Sequence, residues 1–207
     1  MPFDFKSCKL QDGRVIKGLY EIQPKIFEDI RGSFCELYTE RDFFLAGLKM
    51  KFVQENQSIS SKGVLRGLHF QKFHPQGKLV RAIFGKVYDV EVDLRSGSPT
   101  FGCYHGVILD SDKQNEFYIP PGFAHGFYVL SDSAVFAYKC TDFYDPKGEG
   151  GLMWNDPIIN IDWASVAPGL TPLLSEKDGK HPAFDPNGKY FDLEGKWCVR
   201  PLAAGVK

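Results

Sequence analysis

The chain has no apolar run approaching the roughly 18 residues of a membrane-crossing helix. Its start, Met1-Pro2-Phe3-Asp4-Phe5-Lys6, lacks the charged-then-apolar pattern of a secretory signal. There is no C-x-x-C pair, and the five cysteines (Cys8, Cys35, Cys103, Cys140, Cys198) are odd in number and widely spread. That argues against a disulfide framework or a zinc knuckle and fits a reducing compartment. No two of the five histidines (His69, His74, His105, His125, His181) are two apart, so the His-x-His start of a small-barrel metal site is missing. A Gly-rich phosphate loop, a G-x-S-x-G elbow and a nicotinamide fingerprint are missing as well. A formal charge of -1, with both signs interspersed, gives no footprint for nucleic acid or a membrane surface. The expectation is a soluble, cytoplasmic protein with no metal, no redox cofactor, and no nucleic-acid or membrane partner.

What the chain does have is many short apolar runs broken by Gly, Pro, Ser and Asp. Its 207 residues suffice for one domain with a real core. Thr39 to Gly47 reads as a short helix, with Thr39 as cap, Asp42 where a capping box wants an acid, and Gly47 as stop. From Phe52 onward the pattern is strands. Leu79 to Arg95 reads as a hairpin turning at Gly85-Lys86, with Tyr88, Val90, Val92 and Leu94 on one face and Asp89, Glu91, Asp93 and Arg95 on the other. Further strands are expected at Tyr104–Leu109, Glu116–Ile119, Gly126–Leu130 and Val135–Thr141, and one helical turn at Leu173–Asp178. Short strands at this spacing indicate a mainly β protein, an antiparallel sandwich or barrel with few short helices.

The most informative stretch is Val64-Leu65-Arg66-Gly67-Leu68-His69-Phe70-Gln71, followed by Gln76-Gly77-Lys78-Leu79-Val80-Arg81. Apolar residues bracketing an arginine, a histidine and a lysine suggest strands that carry functional groups into a lined cavity. Each residue alone has a plainer reading, as a satisfied core histidine or a solvated cation. Strict alternation places His69 and Arg66 on opposite faces, so either Gly67 permits a bulge or the two do not share a pocket. A hairpin turn at Ser131-Asp132 would set His125 directly opposite Tyr138. A barrel mouth holding His69, Lys78, His125 and Tyr138 could move protons and stabilise an oxyanion.

Taken together, the motifs resemble the dTDP-4-dehydrorhamnose 3,5-epimerases of deoxysugar biosynthesis, from about Ile26 to Asp178. The resemblance rests on Asp29-x-Arg31-Gly32-x-Phe34-x-Glu36, the two stretches above, Gly122-Phe123-Ala124-His125-Gly126-Phe127, Tyr138-Lys139, Trp154-Asn155-Asp156 and Leu174-Ser175-x-Lys177-Asp178. It implies a metal-free, cupin-like jelly-roll barrel spanning 1–207, with a core of about 26–178 and a C-terminal extension, 179–207, packed on it. It further implies a homodimer whose subunits exchange N-terminal strands. Under the resemblance His69 is the base, Tyr138 the acid, Asp178 the carboxylate orienting the histidine, and Lys78 a catalytic group near the sugar carbonyl. Phe27, Arg31, Glu36, Gln54, Asn56, Arg66, His125, Glu149 and Lys177 become substrate contacts, the N-terminal ones serving the partner's site. The implied reaction inverts C3 and C5 of dTDP-4-dehydro-6-deoxy-D-glucose, a step towards dTDP-rhamnose and cell-surface polysaccharide. Alternatives are a single-centre epimerase, one using a GDP- or CDP-linked keto sugar, and a non-catalytic sugar-binding cupin. Where the family has Gln-Asp-Asn-His-Ser, this chain has Gln54-Glu55-Asn56-Gln57-Ser58.

Overall fold

The computed structural model describes residues 2–198. Strands β1 (Phe3–Lys9), β2 (Val15–Pro24), β3 (Ile26–Asp29) and β4 (Gly32–Cys35) precede helix α1 (Glu40–Leu45). Then come β5 (Gln54–Ser61), β6 (Leu65–Gln71), β7 (Lys78–Phe84), β8 (Lys86–Asp93) and β9 (Tyr104–Asp110). Strands β10 (Glu116–Ile119), β11 (Phe123–Val129), β12 (Ser133–Cys140) and β13 (Glu149–Gly151) follow, with a short helix α2 (Trp163–Val166) and a 3-10 turn at Asp178–Lys180. As its sequence suggests, α1 is capped by Thr39, whose hydroxyl accepts the Asp42 N–H at 3.3 Å. No helix among the described residues is long and apolar enough to cross a membrane.

Two antiparallel sheets make the expected cupin-like barrel. One has the order β1-β2-β10-β7-β12-β5, the other β13-β6-β11-β8-β9, while β3 and β4 form a separate ribbon. Alternation in the strands explains the layering. Val80, Phe117 and Phe136 of the first sheet meet Val87, Phe127 and Val129 of the second in the space between them. The opposite face of the second sheet, carrying Val90, Val92 and Tyr128, is not left to water. Leu152, Trp163, Phe184 and Phe191 from the C-terminal part of the chain cover it. Strand β8 is therefore buried on both faces after its first residue, so its polar face, Asp89 and Glu91, is turned into the barrel.

Two expected hairpins are corrected. Strands β7 and β8 do not pair; β7 lies between β10 and β12, and β8 between β11 and β9. Gly85 turns the chain from one sheet to the other. Its φ of +76° and the 2.3 Å separation a Cβ would have from Ser133 O demand glycine there, which sequence inspection cannot tell from a hairpin turn. Likewise Ser131-Asp132 joins strands of different sheets, so His125 and Tyr138 are not ladder neighbours. The helical turn expected at Leu173–Asp178 begins instead at Asp178, because Leu173 makes a parallel bridge with Val64.

Glu116 sits on β10 opposite Arg81 and is only 3% exposed. Burial pushes its carboxyl from 4.5 to about 8, with Arg81 and Lys139 pulling partly back. Because the folded-state value is the higher one, the stability it contributes is complete below about pH 4.5 and lost as pH climbs through about 8. Glu116→Gln should therefore gain stability relative to wild type between about pH 5 and pH 8.5, by on the order of 3 kcal/mol. Urea denaturation at the two pH values checks this; an unchanged difference would mean that Glu116 is ionised in the folded protein throughout.

Candidate active site

The site is built where the inner faces of the two sheets look at each other. Lys78 on β7, Tyr138 on β12, and Gln54 and Asn56 on β5 come from the six-stranded sheet, with Asn56 directly opposite Tyr138. His69 on β6 and His125 on β11 come from the five-stranded sheet and stand opposite one another. The pairing of β6 with β11 slips between these histidines and the next pair, Arg66 with Phe127. This bulge answers the question raised by alternation, since Arg66 and His69 line the same cavity. Gly67 makes it possible. At φ +127° a Cβ would lie 2.5 Å from Gly126 Cα and 2.8 Å from His125 O, so any side chain would push the two strands apart.

Two linked hollows open from this point, of about 390 Å³ and about 270 Å³. Gln57, His69, Lys78 and Tyr138 border both. Glu149 and Tyr144 close one side, while Arg66, His125, Ser175, Lys177 and Asp178 close the other. The volume is that of a small-molecule site. Phe27 and Arg31 line a separate hollow on the β3–β4 ribbon, and Glu36 follows that ribbon; none of the three borders the cleft of its own chain.

His69 Nε2 donates to Asp178 Oδ1 at 2.5 Å, and the Ser175 hydroxyl donates to the other carboxylate oxygen at 2.8 Å. Burial alone would raise the Asp178 carboxyl, but the bonds from His69 and Ser175 outweigh it and hold the group below its ordinary value. With Asp178 ionised, the imidazole proton belongs on Nε2 and the lone pair on Nδ1. His181 packs its ring edge-on to His69, with centroids 5.3 Å apart and Nε2 3.6 Å from Asp178 Oδ1.

A second relay holds the lysine. His125 Nε2 donates to Asp89 Oδ2 at 2.9 Å, and Lys78 Nζ donates to His125 Nδ1 at 3.3 Å. Burial lowers the His125 pKa, and the Lys78 ammonium adds to that effect against Asp89. Burial also lowers Lys78, with Cys140, Asp89 and Glu91 opposing it. Tyr138 is raised, chiefly by burial and then by Cys140, so its hydroxyl keeps its proton at neutral pH. Lys177 pairs with Glu149, whose other partner is the Tyr144 hydroxyl at 2.8 Å.

Sequence inspection missed Asp89, Ser175 and His181. Asp89 carried a signal, a carboxylate in an otherwise β-branched strand, but alternation does not say which face turns inward. Ser175 was visible only as a letter in a motif. His181 had no signal at all.

Comparison with known proteins places the chain in a family. The sequence profile of dTDP-4-dehydrorhamnose 3,5-epimerase matches residues 14–186. The enzyme of that name from Methanothermobacter thermautotrophicus is 49% identical over 177 residues, 84% of this chain and 92% of the relative. The crystal structure of dTDP-6-deoxy-D-glucose-3,5-epimerase from Legionella pneumophila, in complex with dTDP-4-keto-L-rhamnose, superposes with a TM-score of 0.79 at 46% identity, covering 87% of this chain and 92% of that one. A 3'-monoepimerase from Streptomyces bikiniensis, in complex with dTDP-quinovose, superposes at 0.76 with 31% identity over 84% of this chain and 86% of its own. A profile spanning most of the chain, near-half identity over most of a relative, and one shared barrel lead to a single conclusion: this chain belongs to the dTDP-4-dehydrorhamnose 3,5-epimerase family.

Proposed function

We propose that the protein converts dTDP-4-dehydro-6-deoxy-D-glucose to dTDP-4-dehydro-L-rhamnose by removing and returning protons at C3 and C5. The observation that carries this reading is His69 on one sheet, paired with Asp178 from the 3-10 turn, facing Lys78 and Tyr138 on the other sheet. The C4 carbonyl acidifies the hydrogens on both neighbouring carbons, so the reaction needs only a base, an acid and a cation. His69 Nδ1 takes the proton as an enolate forms. The Lys78 ammonium, held by His125, stabilises the charge developing on the C4 oxygen. Tyr138 donates a proton to the opposite face of the ring, because it projects from the opposite sheet. Gln54, Asn56, Arg66, Glu149 and Lys177 supply polar contacts for the sugar and nucleotide. The dTDP-4-keto-L-rhamnose bound in the Legionella structure supports the dTDP-linked substrate over GDP- and CDP-linked ones.

The second reading, inversion of a single centre, is favoured by the likeness to the Streptomyces 3'-monoepimerase. The same base and acid serve either carbon. Incubation with the dTDP-keto sugar in deuterated water, read by mass spectrometry, separates the readings. Two deuterons per product are expected. One deuteron would establish the single-centre reaction, and none would reject this substrate.

Assembly is part of the proposal. The β3–β4 ribbon exposes Phe27, Ile30 and Phe34 at 48%, 106% and 70%. Such a ribbon is marginal unless it packs on something. In a homodimer with exchanged N-terminal strands, it would bring Phe27, Arg31 and Glu36 to the partner's cleft. Mixing His69→Ala chains with Arg31→Ala chains should then restore activity, since each mixed dimer holds one intact site. No recovery after confirmed subunit exchange would mean that each site is built within one chain.

A further inference from the structure

The inner face of the five-stranded sheet carries a row of titratable side chains in register. His69 stands opposite His125, His125 opposite Glu91, and Glu91 opposite His105. The first two face the cleft. The last belongs to a different group. His105 Nε2 hydrogen-bonds Glu21 Oε1 on β2 at 3.1 Å, and Cys8 on β1 completes a cluster. Its sulfur, nitrogen and oxygen atoms all lie within 4.8 Å of one another. Strands β1 and β9 are edge strands of the two different sheets, and no ladder joins those edges among the described residues. The cluster therefore sits at the seam between the two sheets, with Cys8 buried on the core side and Glu21 and His105 partly exposed.

We propose that Cys8, Glu21 and His105 form a site for one divalent cation of borderline softness, Zn²⁺ or Co²⁺, that clips the two sheets together at this seam. The donor set selects the metal class. One thiolate, one imidazole and one carboxylate suit zinc, whereas Mg²⁺ and Ca²⁺ want all-oxygen shells. Metal–ligand bonds of about 2.0–2.3 Å in a tetrahedral shell put neighbouring ligand atoms roughly 3.3–3.8 Å apart. The observed ligand atoms, all within 4.8 Å of one another, stand close to that spacing. His105 also borders an open surface cleft shared with Lys9, Leu10 and Tyr104, which gives the ion and a fourth, water ligand a way in. Lys6 Nζ lies 3.8 Å from the other Glu21 oxygen but is 71% exposed and free to swing into solvent.

The proton balance is simple. As the ion takes His105 Nε2 and Glu21 Oε1, the imidazole proton between them moves to Nδ1, so His105 stays neutral and Glu21 stays a carboxylate. The Cys8 thiol releases its proton to solvent as the sulfur–metal bond forms. Thiolate and carboxylate together neutralise the dication. The three ligands come from strands far apart in the chain, so no spacing motif announces them.

The test uses the full chain, stripped with a chelator and titrated with Co²⁺. One equivalent should produce a thiolate-to-cobalt charge-transfer band together with tetrahedral-type visible bands, and one equivalent of Zn²⁺ should displace it and raise Tm. Cys8→Ser should lose the band. Cys103→Ser, the other thiol in the neighbouring cleft, should keep it. Glu21→Gln, at a partly exposed position, should weaken binding by no less than the roughly 10–100-fold seen when mere supporting groups are removed. Cobalt held by His69, Asp178 and His181, another cluster of possible ligands, has no thiolate and gives no such band. Absence of the band at one equivalent, its survival in Cys8→Ser, or unchanged affinity in Glu21→Gln would overturn the proposal.

Discussion

Replacing His69 with alanine is expected to lower turnover by about 10²–10⁴-fold and to stop deuterium exchange at the sugar carbons to the same extent. Both losses follow from one cause, because exchange and inversion begin with the same proton removal. The alternative base is His125, and the structure gives a physical reason against it. Both of its ring nitrogens are engaged, Nε2 with Asp89 and Nδ1 with Lys78, and its side chain is 7% exposed. Its place is behind the lysine, so His125→Ala should weaken the reaction by loosening Lys78 while leaving some exchange. If His125→Ala stops exchange and His69→Ala leaves it intact, the two roles must be swapped.

Tyr138→Phe should produce a different defect of comparable size. His69 can still remove the proton and hand it back on the face from which it came. Exchange should therefore continue while inversion falls by about 10²–10⁴-fold. The separation of the two signals is the informative part. A residue that only packed the pocket would depress both together, whereas an acid on the far side of the ring affects only the outcome. Burial keeps the phenol protonated, which suits a donor and not a base. Loss of exchange and inversion in equal measure in Tyr138→Phe would remove Tyr138 from the acid's role.

The parts of this molecule legible in its sequence are those decided by neighbours along the chain. Alternation located most strands, Thr39 announced the helix cap, and Gly67 marked the place where alternation would fail. Sheet partners were not legible, because a glycine turn at Gly85 looks the same whether the next strand returns beside the last or crosses to the other sheet. The misread register between β11 and β12 followed from that. It still named two residues that line one cavity, His125 from one sheet and Tyr138 from the other. At the site, the strand-borne groups stood out as polar residues in apolar surroundings. Asp178 did not. It meets His69 from a turn 109 residues further on, a pairing that only the resemblance supplied. The inward face of β8 was hidden for a related reason: Asp89 and Glu91 look like a solvent side until the covering segment is placed.

That covering segment sets an order of events in the life of each molecule. Ribosomes make proteins from the N-terminus, and the residues that shield Val90, Val92 and Tyr128 come late, from Leu152 to Phe191. Until they emerge, the nascent barrel carries a bare apolar face, the kind of surface that chaperones bind and that draws unfinished chains into aggregates. Asp178 belongs to the same late segment, so the proposed base, His69, lacks its carboxylate partner until the back is closed. Two of the three tryptophans, Trp154 and Trp163, lie there too, and Trp197 follows six residues after its end. The fluorescence change that reports the closing of the barrel and the first turnover of a newly made molecule are thus tied to one docking step.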